Sequence, residues 1–205
     1  MAPPKKVFWL LVFFFFLAVV AYSGWIFHRN NVKAITYAGN NEEFKEGGVP
    51  NFALSFLDGK TGSATGTFVK LANFEDKILL INFWASWCAP CQTEFPSLVQ
   101  LAKSFNRPEE GDKPQRLRVL AISVDKDLAP LTQFLNQMGQ SLPPNFEVLA
   151  DPDGEMAVKY GTRKLPETYI VGREHRLIRK VIDQQNWNSP AFKEFIEKQI
   201  AEQSK

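Results

Sequence analysis

The sequence predicts an α/β fold built on a parallel sheet core and preceded by one membrane-spanning helix. Three observations carry this. Two nearly continuous apolar runs, Ile78 to Trp84 and Leu117 to Val124, have the character of central strands covered on both faces. Between them Cys91, Phe95, Leu98, Ala102 and Phe105 recur at alternating intervals of four and three, the stripe of an amphipathic helix joining the strands as a right-handed crossover. Ahead of both, Val7 to Phe27 is apolar, contains four consecutive phenylalanines and is long enough to span a bilayer.

That first segment follows Lys5 and Lys6 and precedes His28, Arg29 and Lys33. Tyr22, Trp25 and Arg29 suit the far interface of a retained helix, so residues 1–28 are read as a signal anchor. The flanking charges are almost balanced, and an extracytoplasmic domain is expected from the very short N-terminal tail and the large domain behind it. A cleaved signal peptide competes with the anchor, because Val7 to Val20 has the length of a leader core and Ala21-Tyr22-Ser23 offers small residues for cleavage. Asn30 to Gly48 is polar and aperiodic, which makes residues 29–48 a tether and residues 49–205 the folded domain. The chain has 205 residues, 45% of them hydrophobic, and a net charge of +2, which gives no reason to expect a nucleic acid or a strongly charged partner.

Within the domain, Phe52 to Leu57, the turn Asp58-Gly59-Lys60-Thr61-Gly62 and Thr67 to Leu71 predict an N-terminal hairpin. Pro96 lies inside the crossover helix and is expected to kink it, since it lacks an N–H and crowds the preceding turn. A second helix is predicted from Pro130, with Leu131, Phe134, Leu135 and Met138 on one face and Gly139 at its end. Asn106 to Gln115 and Gln140 to Asn145 read as loops. A short helix from Asp153 to Tyr160 stops at Gly161, and Thr168 to Val171 with Arg176 to Ile182 make a hairpin through Gly172 whose outer strand is charged, as an edge requires. The last helix opens at Ser189-Pro190 and buries Phe192, Phe195, Ile196 and Ile200.

The chemistry is concentrated in Trp87-Cys88-Ala89-Pro90-Cys91, which holds the only two cysteines of the chain. Two intervening residues bring the sulfurs within bonding distance around the first turn of a helix, so a disulfide can open and close there. Cys88, at the helix N-terminus, should lose its proton readily and act as the nucleophile. Cys91, one turn further in, is placed to resolve a mixed disulfide on Cys88. A zinc site lacks its other half, because His28 and His175 lie far from the motif. A purely structural disulfide closing so short a loop would constrain the unfolded chain little. A peroxide-reducing cysteine usually sits in T-x-x-C, and Ala85 occupies the threonine position.

The strand-WCAPC-helix junction, Pro96 and Lys164-Leu165-Pro166-Glu167-Thr168 resemble thioredoxin. Phe83-Trp84-Ala85-Ser86-Trp87-Cys88, Glu94-Phe95-Pro96, Asp151-Pro152-Asp153-Gly154 and Pro166-Glu167-Thr168 resemble, more narrowly, the TlpA/ResA/DsbE-like family of membrane-anchored extracytoplasmic thioredoxins, over roughly Val49 to Lys198. The resemblance implies a thioredoxin-like three-layer α/β/α sandwich with a mixed central sheet. It implies a cis bond before Pro166, with the proline against the dithiol and Leu165 offering backbone groups to an extended substrate segment. Trp87 and Glu167 would border the same surface. Glu94, one turn beyond Cys91, matches an acid that tunes the thiols, and the competing reading is a solvated helix carboxylate. Asn82 stands where thioredoxin carries a buried aspartate, which leaves Glu94 as the substitute proton acceptor.

Together these imply a thiol-disulfide oxidoreductase with catalytic Cys88, Cys91 and Glu94 and no bound cofactor, active on the periplasmic side of the cytoplasmic membrane. Its expected partners are protein disulfides, such as those of apocytochrome c or copper-site assembly proteins, and a membrane electron donor that re-reduces it. The alternative is a copper chaperone in which the cysteine pair carries Cu(I). The motif offers no nearby histidine or methionine ligand for that role.

Overall fold

Continuous apolar runs and alternating ones sort the chain into central and peripheral strands. In the computed structural model, which describes residues 14–23, 44, 48–58, 63–106, 116–139 and 141–203, the strands are β1 (Ala53–Leu57), β2 (Ala64–Lys70), β3 (Ile78–Trp84), β4 (Leu117–Ser123), β5 (Phe146–Ala150), β6 (Glu167–Val171) and β7 (Leu177–Ile182). The helices are α1 (residues 14–23), α2 (Ala89–Phe105), α3 (Leu128–Gln137), α4 (Glu155–Lys159) and α5 (Pro190–Glu202). The strands form one sheet in the order β2-β1-β5-β4-β3-β6-β7. β3, β4 and β5 run parallel, while β1 is antiparallel to β2 and β5, and β6 to β3 and β7. The sheet is therefore mixed, with the two predicted hairpins at its edges.

Every residue of β3 is buried, as its apolar sequence, broken only by Asn82, requires of a strand covered on both faces. On one face Leu80, Trp84, Val119 and Ile170 meet α2, α3 and α5. On the other, Leu79, Ile81, Phe83 and Tyr169 meet α4, a short 3-10 turn at Leu71–Phe74, and Val49 and Phe52. This gives three layers. Phe95 of α2 is 1% exposed and packs its ring 4.5 Å from Trp84, 5.5 Å from Phe134 and 5.4 Å from Phe146, centroid to centroid. Burial of such a side chain contributes about 1.5–3 kcal/mol, which ties α2, α3 and β5 together beneath the dithiol.

One strand, one helix start and the setting of one strand's charges differ from the sequence reading. β5 was not anticipated: Phe146–Ala150 is short and follows two prolines, and it becomes a strand because β1 and β4 pair with its two edges. α3 begins two residues earlier than Pro130, since the Asp127 carboxylate accepts from the N–H of Ala129 at 3.0 Å and a proline in the first turn removes no intrahelical bond. The charges of β7 are not free in solvent as an edge strand would suggest, because Arg179 stacks on Phe195 at 4.2 Å and Lys180 is tied to Glu167. α2 runs unbroken through Pro96.

The chain divides into two units, Met1–Ile35 and Thr36–Lys205. In the first, residues 14–23 are helical and exposed, and the remainder of Val7 to Phe27 lies outside the described residues. Among the described residues no helix is long and apolar enough to cross a membrane. Of the predicted tether only Phe44 and Gly48 are described, and Phe44 packs on Tyr160 and Tyr169 at 6.1 and 6.3 Å.

Candidate active site

β3 delivers the chain to a turn, Ala85 to Trp87, and the turn delivers Cys88 to the start of α2. The turn closes when the N–H of Cys88 donates to the Ala85 carbonyl at 3.2 Å. It is held from the side by Asp125, whose carboxylate accepts from the Ser86 N–H at 2.8 Å, the Ser86 hydroxyl at 2.7 Å and the Ser123 hydroxyl at 2.6 Å. Asp125 was not apparent in the sequence. It reaches the turn because β4 pairs in parallel with β3, Trp84 beside Ser123.

Cys88 is the N-cap of α2, with Pro90 in the first turn, where the missing N–H removes no helical bond. Cys88 and Cys91 form a disulfide with Cα atoms 5.2 Å apart. Cys88 is 7% exposed and Cys91 1%, so the first cysteine is the more exposed of the two. The N–H of Cys91 donates to Cys88 Sγ at 3.4 Å, an amide dipole aimed where negative charge develops when the bond opens. Trp87, beside them, is 69% exposed. A groove lined by Trp87, Gln92, Pro130, Gln133, Phe134 and Met138 runs from it along α3.

Glu94 is a buried carboxylate, 2% exposed, and the solvated alternative is overturned by its place on the core-facing stripe of α2. Oε1 accepts from Asn82 Nδ2 at 2.9 Å, and Oε2 accepts from the Gln185 N–H and from Trp187 Nε1, each at 3.0 Å. Burial pushes the carboxyl up to about 7, against the pull of the Gln185, Trp187 and Asn82 donors toward the ionised form. Asn82 also donates to Thr168 Oγ1 at 2.9 Å, so the asparagine in the strand links the acid to β6.

The Leu165–Pro166 peptide bond is cis, as the resemblance implied. Phe83 pairs with Glu167 in the antiparallel ladder, which puts Pro166 at the sheet end where β3 enters the cysteine turn. Among the described residues, neither backbone group of Leu165 has a hydrogen-bond partner.

Glu167 is placed differently from the expectation that it borders the dithiol. Side chains alternate along β6, so Thr168 faces Asn82 while Glu167 faces the opposite side of the sheet. There it pairs with Lys180 at 3.3 Å and accepts from the Tyr169 hydroxyl at 3.1 Å. Lys180 also donates to the Gly161 carbonyl at 3.1 Å, and the one Tyr169 hydroxyl proton is shared between Glu167 and the nearer Tyr160 carbonyl at 2.6 Å, so this cluster seats the segment leading into Leu165–Pro166 from behind.

Comparison with known proteins agrees with this geometry. Residues 46–180 match the AhpC/TSA family. The thiol-disulfide oxidoreductase ResA of Bacillus subtilis (strain 168) is 27% identical over 145 residues, which cover 71% of this chain and 71% of that protein. The thiol:disulfide interchange protein DsbE homolog of Paracoccus denitrificans (strain Pd 1222) is 28% identical over 165 residues, covering 80% of this chain and 78% of the relative. The crystal structure of a protein described as thiol:disulfide interchange protein DsbE from Chlorobium tepidum superposes with a TM-score of 0.57 at 27% identity, over 78% of this chain and 98% of that one. A disulfide whose more exposed cysteine caps a helix, and a cis-proline loop at the same sheet end, thus occur in a chain that belongs to the AhpC/TSA family and, within it, to the TlpA/ResA/DsbE-like thiol-disulfide oxidoreductases.

Proposed function

We propose that this protein is a membrane-anchored extracytoplasmic reductant of protein disulfides, serving cytochrome c maturation or copper oxidase assembly. The observation that carries the redox reading is the Cys88–Cys91 disulfide at the N-terminus of α2, the first cysteine more exposed than the second. In the reduced protein the Cys88 thiolate attacks one sulfur of a substrate disulfide, forming a mixed disulfide and releasing the other substrate sulfur, which takes up a proton. Cys91 then gives up its proton, for which the Glu94 carboxylate is the candidate acceptor, and attacks Cys88 Sγ. The second substrate thiolate leaves and is protonated. Two electrons have passed to the substrate, and a membrane dithiol donor reverses the sequence on the protein. The backbone groups of Leu165, unpaired among the described residues, and the groove beside Trp87 suit an extended segment of the partner, held with little demand on its side chains.

The anchor reading is supported by the exposed Phe15, Phe16, Leu17, Val19 and Val20, an apolar surface that water does not solvate well. The decisive experiment is Cys91→Ala in cells. Mixed disulfides on Cys88 should accumulate as bands that vanish on reduction and with Cys88→Ala, and apocytochromes or copper-site assembly proteins should be found in them. The same strain reports the anchor, since the protein should sediment with membranes and keep its N-terminus. Absence of Cys88-dependent adducts would remove the oxidoreductase reading, and a soluble protein beginning near Gly24 would remove the anchor.

A further inference from the structure

The segment between β7 and α5 contributes to the redox site although it lies far from the cysteines in sequence. We propose that Trp187 is a positioning residue of that site: its indole N–H, with the backbone N–H of Gln185, fixes one oxygen of the Glu94 carboxylate behind the dithiol. The inference rests on the thiol-disulfide reading above and extends it to a residue that touches neither sulfur nor substrate.

Oε2 of Glu94 receives both donors at 3.0 Å, which leaves Oε1 for Asn82 at 2.9 Å. The clamp is itself held by packing and hydrogen bonds. Trp187 is fully buried and packs edge-on to Phe192 at 4.7 Å, its backbone N–H donates to Ser97 Oγ at 3.1 Å, and that hydroxyl donates to the Glu94 carbonyl at 2.7 Å. A buried indole needs some acceptor for its N–H, and a backbone carbonyl would serve a purely structural ring. Here the acceptor is an ionisable group three residues beyond the resolving cysteine. Among the described residues the groups hydrogen-bonded to the carboxylate are Asn82 from β3, with Thr168 of β6 behind it, and Gln185 and Trp187 from the segment before α5; none of these titrates. Asp183, two residues before Gln185, is exposed and paired with Lys164. The titratable neighbours on its own helix are Cys88 and Cys91 once reduced. Each donor favours the ionised carboxylate, so Trp187 helps set the pH at which Glu94 can take a proton from Cys91.

Trp187→Phe keeps a ring in the pocket and deletes the N–H. In the full-length protein, disulfide exchange against pH should show its midpoint moved up by roughly one unit relative to wild type, the loss of one hydrogen bond to a charged group. In a Glu94→Gln background the same change should move nothing. An unchanged profile in folded Trp187→Phe, or an equal shift in both backgrounds, overturns the inference. Should the variant not fold by far-UV circular dichroism, the nitrogen shift of the Trp187 indole in the wild-type protein decides. It should titrate with the exchange midpoint and stay flat in Glu94→Gln, and a flat wild-type signal overturns the inference. Wild-type protein that exchanges no disulfides at all would instead strike the underlying oxidoreductase reading.

Discussion

A carboxyl group buried until it titrates near neutrality makes stability depend on pH in a definite direction. Glu94 has an ordinary value of 4.5 and a folded value of about 7, so between these the folded state holds a proton that the unfolded state has released. Stability is then greatest below 4.5 and declines as pH rises through 7, by about 3 kcal/mol for a shift of this size. Glu147, raised to about 7 by burial despite Arg118 at 2.8 Å, acts in the same sense. Urea unfolding between pH 5 and 8 should therefore show wild type losing stability and Glu94→Gln losing about half as much. Equal slopes would mean that the Glu94 carboxylate is ionised throughout. The two cysteines were legible because their spacing is local. Asp125 and Trp187 were not, since the first meets Ser86 across 39 residues and the second meets Glu94 across 93, distances that strand register closes and sequence pattern does not.

The helix that carries the dithiol imposes an asymmetry on it. At the N-cap of α2 one sulfur receives the Cys91 amide and is partly open, while the other sits a turn deeper on the buried stripe. In the reduced protein iodoacetamide should label Cys88 well before Cys91, which peptide mass spectrometry of short reactions would show. Comparable labelling of both would place the two sulfurs in equivalent surroundings and remove the division of roles. The elements that support this asymmetry are those the sequence shows best. β3, α2 and β4 have long apolar runs or a sustained period, and their limits were foreseen to within a few residues. β5 has five residues and its identity comes from β1 and β4 on either side, a tertiary cause with no local sign. Asp127 outweighs Pro130 as the start of α3 because a side-chain cap acts before the first turn, whereas proline is merely tolerated within it.

Across the whole molecule the sheet separates the dithiol face from a rear face where Glu167, Lys180 and Tyr169 hold the approach to the cis-proline loop. Glu167→Gln leaves the largely buried Lys180 without its counter-charge and should destabilise the fold by about 3–5 kcal/mol. The pH profile of disulfide exchange should keep its wild-type midpoint, because the pair lies across the sheet from Glu94. A displaced midpoint in this variant would mean that the two faces are electrostatically coupled. That separation runs through a single strand. Thr168 reaches the asparagine-carboxylate link and Glu167 reaches the loop seat, one residue apart and on opposite sides. Substitutions at Glu167 alter how the cis-proline loop is seated, and those at Thr168 alter the link to the Glu94 carboxylate. Partner preference and redox character can consequently diverge on independent mutational routes among descendants of this chain.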